Sequence, residues 1–211
     1  MPMLLKAHEG HIINTSSING FWACLGPQNT HTAYSTAKFA VKGFTEALLV
    51  DLKLNAPHIK VSLVMPGHIG TSISLNASRI LGHPEPSEMT TEALAEVRQR
   101  IAARGMPVDG IDDEQLKVLL QQQREDFRDN APVSSAEAAD IILDGVRQEQ
   151  WRILIGDDAH DLDRIVREFP EEAYDDSMTM RLIDSAEKRG VNVSARRAAF
   201  ELFMKNSKDL I

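Results

Sequence analysis

The sequence predicts an α/β protein with a parallel sheet, and three features of its first third predict it. The string HIINT, within 10–16, is rich in β-branched residues and runs into a serine-rich turn, which is typical of a buried strand. Residues 32–55 contain no proline and repeat apolar side chains every fourth position, which indicates a long amphipathic helix. The string IKVSLVM at 59–65 is almost continuously apolar, as in a strand buried on both faces. Strand, helix and strand in this order predict a right-handed βαβ unit.

The start of this long helix is predicted from its polar residues. Thr30 and Thr32 both precede the apolar repeat, and a threonine hydroxyl can accept a hydrogen bond from a free backbone N–H of the first helical turn. We therefore expect one of the two threonines to be the N-cap residue.

A more charged stretch follows the βαβ unit. Residues 72–133 contain the helix-breaking string GHPEPSE and two charged helical patterns, at 88–104 and 112–129. This texture predicts a helical insertion. Ser134 and Glu137 then form a predicted capping box, which opens a helix that reaches about residue 148.

The string WRILIG at 151–156 predicts a third strand, so the alternation of strand and helix continues past the insertion. Residues 157–211 show two or three polar helical patterns, interrupted near 169–176 and at Gly190. We expect residues 1–156 to form one domain and residues 157–211 to form a helical extension.

The composition is that of an ordinary globular protein, with 43% apolar, 26% charged and 5% aromatic residues and a mean hydropathy of −0.24. The net charge of −8 argues against nucleic acid as the main partner. No apolar run approaches the roughly 20 residues of a membrane span. A lone cysteine, Cys24, is typical of a reducing compartment, so a cytoplasmic protein is expected.

Metal binding is not predicted. The seven histidines lack the spacing of a zinc site. The acidic string DDAHDLD at 157–163 is better explained by carboxylates that complement the dipole of a helix N-terminus.

The string YSTAK at 34–38 is the first candidate for chemistry. Residues four apart on a helix share a face, so the Tyr34 hydroxyl and the Lys38 ammonium can approach a common point. A nearby cation favours tyrosinate and so lowers the pKa of a phenol from its ordinary value of about 10. Such a phenol could act as a general acid and base on an alcohol or a carbonyl group. Alone, the pair is more simply explained as two surface residues.

Two further strings follow the first two predicted strands. NTSSING at 14–20 places Ser17 beyond the first strand, and PGHIGT at 66–71 follows the second. Ligands of open α/β sheets bind beyond the carboxyl ends of the strands, so both strings are expected near Tyr34. The free amides and the Thr71 hydroxyl of the second string could hold a phosphate. Each string alone is an ordinary turn sequence.

In this order, the three strings resemble the short-chain dehydrogenase/reductase family. The resemblance covers residues 1 to about 156 and implies a doubly wound Rossmann fold, of which three parallel strands remain, with a helical insertion and a helical tail. It assigns the catalytic roles to Ser17, Tyr34 and Lys38. It also implies that Tyr34, Lys38, Pro66, Gly67, Ile69 and Thr71 bind NAD or NADP.

The resemblance further implies hydride transfer between the nicotinamide cofactor and a small-molecule alcohol or carbonyl substrate. Ser17 would hold the substrate oxygen, Tyr34 would exchange the proton, and Lys38 would bind the ribose and tune Tyr34. Members of the family commonly pair through the helix at 32–55, so a homo-oligomer is expected.

Two departures from the family pattern affect these expectations. The segment between Ser17 and Tyr34 is longer than usual, which predicts a reshaped pocket rim. The sequence also lacks the family's TGxxxGxG loop and the residue that selects NAD or NADP. The chain is therefore expected to be a truncated member that starts inside the family's fourth helix, with an unpaired strand edge. The alternative is an inactive fragment that acts at most as a dimerisation module.

Other enzyme classes match the sequence less well. Ser35 and Lys38 form an SxxK string and Ser17 begins an SxN string, as in penicillin-recognising enzymes, but their order is reversed and KTG is missing. An α/β-hydrolase would need a GxSxG string, which the sequence lacks.

Overall fold

The computed structural model of the protein describes residues 1–23, 31–103 and 110–208. The chain divides into two compact units. The first unit contains residues 1–69 and 133–191, and the second contains residues 70–132 and 192–211.

The described elements alternate between strands and helices in the first unit and are mainly helical in the second. The strands are β1 (Gly10–Thr15), β2 (Ile59–Pro66), β3 (Ile69–Gly70), β4 (Val133–Ser134) and β5 (Arg152–Ile155). The helices are α1 (Pro2–Lys6), α2 (Thr32–Asn55), α3 (Ile73–Leu81), α4 (Thr91–Ala103), α5 (Asp113–Asp129), α6 (Ser135–Arg147), α7 (Asp157–Glu168), α8 (Asp176–Lys188) and α9 (Ser194–Lys208). Short 3-10 turns cover Ile18–Gly20, Pro86–Glu88 and Pro170–Glu172.

A parallel three-stranded sheet with the order β1-β2-β5 forms the centre of the first unit. In its register Asn14 lies opposite Leu63, and Leu63 lies opposite Arg152. All three carboxyl ends therefore meet at one edge of the sheet. This arrangement confirms the predicted α/β class and the three predicted parallel strands.

Helices cover both faces of the central strand β2. Ile59 and Val61 pack with Leu52 of α2, whereas Val64 packs with Ala138 of α6. Because side chains alternate along a strand, these positions point to opposite faces. The almost continuous apolar character of β2 follows from this double burial.

A third apolar cluster of the first unit joins the segment after β1 to the C-terminal helices. Trp22 is buried there against Leu162 and Ile165 of α7. It also packs against Ala173, which precedes α8, and against Met178 in the first turn of α8. Its indole N–H donates to the backbone carbonyl of Ala173 at 2.5 Å. The C-terminal helices α7 and α8 thus belong to the first unit.

The second unit has its own small core, formed by Leu94, Val97 and Leu116 of α4 and α5. Arg98 of α4 strengthens it by donating to the carboxylate of Asp113 at 2.8 Å. The sequence predicted α4 from residue 88, but the helix begins at Thr91 because Pro86–Glu88 forms a separate 3-10 turn. It also missed α3, whose nine residues lie between two turn strings.

The helix starts were predicted with mixed success. The capping box of α6 is confirmed, because the Ser134 hydroxyl accepts from the N–H of Glu137 at 3.2 Å and the N–H of Ser134 donates back to the Glu137 carboxylate at 2.8 Å. These bonds, the one from the Ser134 N–H foremost, hold the pKa of Glu137 below its usual value. The N-cap of α2 is His31, so the prediction of Thr32 is wrong, and Thr30 lies outside the described residues.

No helix in the described parts of the chain is long and apolar enough to cross a bilayer.

Candidate active site

Ser17 lies in the turn that follows β1, at the carboxyl edge of the sheet. Its side chain is buried and caps the 3-10 turn Ile18–Gly20. The Ser17 hydroxyl accepts a hydrogen bond from the backbone N–H of Asn19 at 3.2 Å and donates to the Asn19 side-chain oxygen at 3.4 Å. Asn19 therefore sets the orientation of the Ser17 hydroxyl, a role that the sequence analysis did not anticipate.

Tyr34 and Lys38 occupy one face of the first two turns of α2. The Lys38 ammonium lies 5.6 Å from the centre of the Tyr34 ring, within the range of a cation–π contact. It also donates to the backbone carbonyl of Thr15, at the end of β1, at 3.1 Å. The Tyr34 side chain is 40% exposed, so it is open to a ligand from solvent.

Hydrogen bonds join the serine segment to the start of α2. The Ser16 hydroxyl donates to the backbone carbonyl of Lys38 at 2.7 Å. A side chain on Gly20 would lie 2.5 Å from the Ser16 oxygen, so this close approach requires glycine. The structure thus places the segment that carries Ser17 directly against the helix that carries Tyr34 and Lys38.

A second connection runs through Ser35, the second residue of YSTAK. The side-chain amide of Asn19 donates to the Ser35 hydroxyl at 3.4 Å, and that hydroxyl donates to the carbonyl of Ala23 at 2.8 Å. A buried chain of polar groups therefore leads from Ser17 to the residue beside Tyr34. In the sequence, Asn19 stands out only as the last residue of the SIN string, and that string does not indicate a contact with Ser35.

The turn after β2 lies at the same edge of the sheet. The N–H of Gly67 donates to the Ile155 carbonyl at 2.9 Å, and the N–H of His68 donates to the Asp158 carboxylate at 2.7 Å. Pro66 ends β2, and Ile69 is buried beneath the turn. Of the residues predicted to bind the cofactor, Thr71 belongs to the second unit, two positions before α3.

In the described parts of the chain, no three His, Cys, Asp or Glu side chains are grouped so as to hold a metal ion. Asp157 and Asp158 of the acidic string lie in the first turn of α7, as predicted from the helix dipole.

Comparison with known proteins finds relatives of the segment that carries the three motifs. The sequence model of the family described as short chain dehydrogenase matches residues 1–80, the segment that carries all three motifs. A Mycobacterium tuberculosis protein named as an oxidoreductase, SadH, is 34% identical over 122 residues, which are 57% of this chain and 42% of that protein. Residues 1–80 of the chain are thus similar to the short-chain dehydrogenase/reductase family.

Two further proteins extend the comparison. The 3-ketodihydrosphingosine reductase of Bacteroides thetaiotaomicron is 41% identical over 87 residues, or 40% of this chain and 30% of that enzyme. The crystal structure of a Burkholderia phymatum short-chain dehydrogenase/reductase in complex with NAD superposes with a TM-score of 0.53 at 23% identity. That superposition covers 81% of this chain and 51% of the other, and it shows a shared Rossmann-like fold. The chain spans less than half the length of the two curated relatives.

Proposed function

We propose that this protein transfers a hydride between a nicotinamide cofactor and a small-molecule alcohol or ketone, with Ser17, Tyr34 and Lys38 as catalytic residues. The observation that carries the proposal is the approach of the Lys38 ammonium to the Tyr34 ring and to the end of β1, beside the segment of Ser17. A proton donor, a cation and a hydroxyl are then available at the carboxyl edge of the sheet, where ligands of such folds bind.

Each of the three side chains has a distinct task. In the oxidative direction the substrate hydroxyl gives its proton to the Tyr34 oxygen, and its carbon gives up a hydride; reduction reverses both transfers. Ser17 donates a hydrogen bond to the substrate oxygen. To do so, its hydroxyl gives up the hydrogen bond that it donates to the Asn19 side chain. Lys38 supports the negative charge on the Tyr34 oxygen.

The residues at this edge suit a nicotinamide cofactor, which would accept or supply the hydride when bound. An ammonium has three donors, and within the described residues Lys38 uses one, to Thr15. The other two can bind ribose hydroxyls. The turn that contains Pro66, Gly67 and Ile69 would contact the nicotinamide, with Thr71 following it in the chain. The NAD found in the Burkholderia phymatum structure supports this cofactor class.

Tyr34→Phe tests the proposal because it removes the hydroxyl and keeps the ring. We expect turnover, followed by the absorbance of the reduced cofactor on a panel of secondary alcohols and ketones, to fall by about 100-fold or more. Cofactor affinity should hardly change, whereas Lys38→Ala should reduce both. Thr36→Ala is the control, since it removes a hydroxyl at an exposed position of the same helix. Normal turnover by Tyr34→Phe, or a wild-type protein inactive with both NAD and NADP, would contradict the proposal.

We also propose that the protein self-associates through α2. Phe44, Val50 and Leu54 are exposed apolar side chains on this helix, with Leu54 78% exposed. At 100° per residue they fall on one side of α2. A large exposed apolar stripe is typical of an interaction surface.

A further inference from the structure

The carboxylate of Asp158 makes an unusual set of contacts at the start of α7. One of its oxygens, Oδ2, accepts the N–H of His68 at 2.7 Å, in the turn after β2. The other, Oδ1, is buried and has no hydrogen-bond partner among the described residues. A buried carboxylate oxygen without a partner costs free energy, so the bond to His68 and the surrounding packing must hold it there.

Glycines form the two walls of the space that this carboxylate occupies. A Cβ atom on Gly67 would lie closer to both Asp158 oxygens than van der Waals contact allows, and one on Gly156 would lie 2.4 Å from Oδ1. Gly156 has a φ of 92°, which favours glycine on its own account, but Gly67 is not among the described glycines with positive φ. Position 67 therefore requires glycine because any side chain there would collide with the Asp158 carboxylate.

Helix-dipole complementarity does not explain these contacts, because Asp157 provides it from the same turn. The Asp157 side chain is 79% exposed and lies 3.5 Å from the Arg189 guanidinium. Asp158 instead points its carboxylate at the backbone of another segment. A hydrogen bond to an ionised acceptor is stronger than one between neutral groups, so it can fix that backbone.

We propose that Asp158 is a positioning residue that fixes the turn at 66–69 in the conformation that binds the cofactor. The inference rests on the proposed function, in which this turn contacts the nicotinamide. It assigns to α7 the task of holding part of the site from outside the segment that carries the three motifs.

Hydrogen exchange of the His68 amide tests the contact without any cofactor. In Asp158→Ala we expect this amide to exchange at least about tenfold faster than in the wild type. Asp158→Asn keeps an oxygen that can accept the N–H, so it should restore much of the protection. Asp157→Ala removes an equal charge from the same turn and should change nothing. Unaltered exchange in Asp158→Ala, or an equal increase in Asp157→Ala, would overturn the proposal.

A double-mutant cycle tests the packing of the carboxylate against Gly67. Gly67→Ala should lower the melting temperature of the wild-type protein, because its methyl group collides with Asp158. In the Asp158→Ala background the space is free, so the same change should lower the melting temperature much less. Equal decreases in the two backgrounds would show that the carboxylate does not occupy this space.

Titration of NADH fluorescence connects the contact to the site. We expect Asp158→Ala to weaken binding by about tenfold, Asp158→Asn to recover most of it, and Asp157→Ala to match the wild type. A wild-type protein that binds neither NADH nor NADPH, titrated in the same way, would overturn the proposed function and the cofactor step, while the exchange experiment would still decide whether Asp158 holds the turn. A wild-type protein that binds NADH as tightly as Asp158→Ala would overturn the positioning role alone.

Discussion

Ser35, the second residue of the YSTAK string, contacts the serine segment through its neighbours. Its side chain is 2% exposed and lies beside Tyr34 in the first turn of α2. The hydroxyl accepts from Asn19 and donates to the carbonyl of Ala23. Since Asn19 also holds the Ser17 hydroxyl, Ser35 links the orientation of Ser17 to the start of the helix.

We predict that Ser35→Ala destabilises the protein by about 1–3 kcal/mol, because the buried Asn19 amide and the half-buried Ala23 carbonyl both lose their hydrogen bond to the Ser35 hydroxyl. Turnover should fall with it, by roughly tenfold, because Ser17 loses its support. Chemical denaturation and steady-state kinetics measure the two effects. Thr36→Ala, at the exposed neighbouring position, should leave both unchanged. If Ser35→Ala had the same free energy of unfolding as the wild type, these hydrogen bonds would not contribute to stability.

Residue types and spacing were sufficient to predict Ser17, Tyr34 and Lys38 as candidates. The distance of four positions between Tyr34 and Lys38 is a property of the helix itself, and the short approach of their side chains follows from it. The roles of Asn19, Ser35 and Asp158 could not be predicted in the same way. The contact between His68 and Asp158 joins residues 90 positions apart, and it exists only because β2 and β5 are neighbours.

Among the elements, those with a long periodic pattern were predicted most accurately. The bounds of α2 agree with the predicted 32–55, because this stretch contains no proline, repeats apolar side chains every fourth position from Ala40 to Leu52 and ends before Pro57. The short helix α3 was missed because nine residues give too little periodicity to be distinguished from the turns on either side. Likewise, charge alone could not show that Pro86–Glu88 separates from α4.

The packing of α7 and α8 gives the C-terminal segment a structural task near the site. Trp22 follows the serine turn by a few residues and is buried against both helices. Its N–H donates to Ala173, and the N–H of Ala23 donates to the Tyr174 hydroxyl at 3.4 Å. The backbone just after Ser17 is thereby held from the C-terminal side of the sequence.

We predict that Trp22→Phe lowers the free energy of unfolding by about 1–3 kcal/mol, through the lost hydrogen bond and the smaller buried ring. Urea denaturation followed by circular dichroism measures this loss. Trp151→Phe is the matched control at a side chain that is 44% exposed, and it should cost much less. If the two variants were equally stable, the Trp22 cluster would not hold the serine segment.

At the scale of the molecule, α2 presents exposed apolar side chains on one of its sides. Phe39 and Phe44 join Val50 and Leu54 there, on a helix whose other side is buried against β1 and β2. In the part of the chain that the structure describes, β1 pairs with β2 alone and so presents a free strand edge beside the helix. Free edges and apolar stripes both favour association.

We predict that the wild-type protein forms an oligomer and that the double variant Phe44→Gln, Leu54→Gln shifts it towards the 23.4 kDa monomer. Light scattering coupled to size-exclusion chromatography measures the mass. Lys53→Gln is the control. It changes a polar residue next to Leu54, so the variant should have the wild-type mass. A wild-type protein that remains monomeric at every concentration would contradict self-association through α2.

The burial of Trp22 also gives the molecule an internal optical probe. Of its two tryptophans, Trp22 lies in an apolar cluster and Trp151 faces solvent. Removing Trp151 leaves a single emitter whose wavelength reports whether the indole is dry or wet. Iodide, which quenches only tryptophan that it can reach, would then show the opening of the α7–α8 packing directly. The segment that follows Ser17 could be watched in solution without attaching any dye.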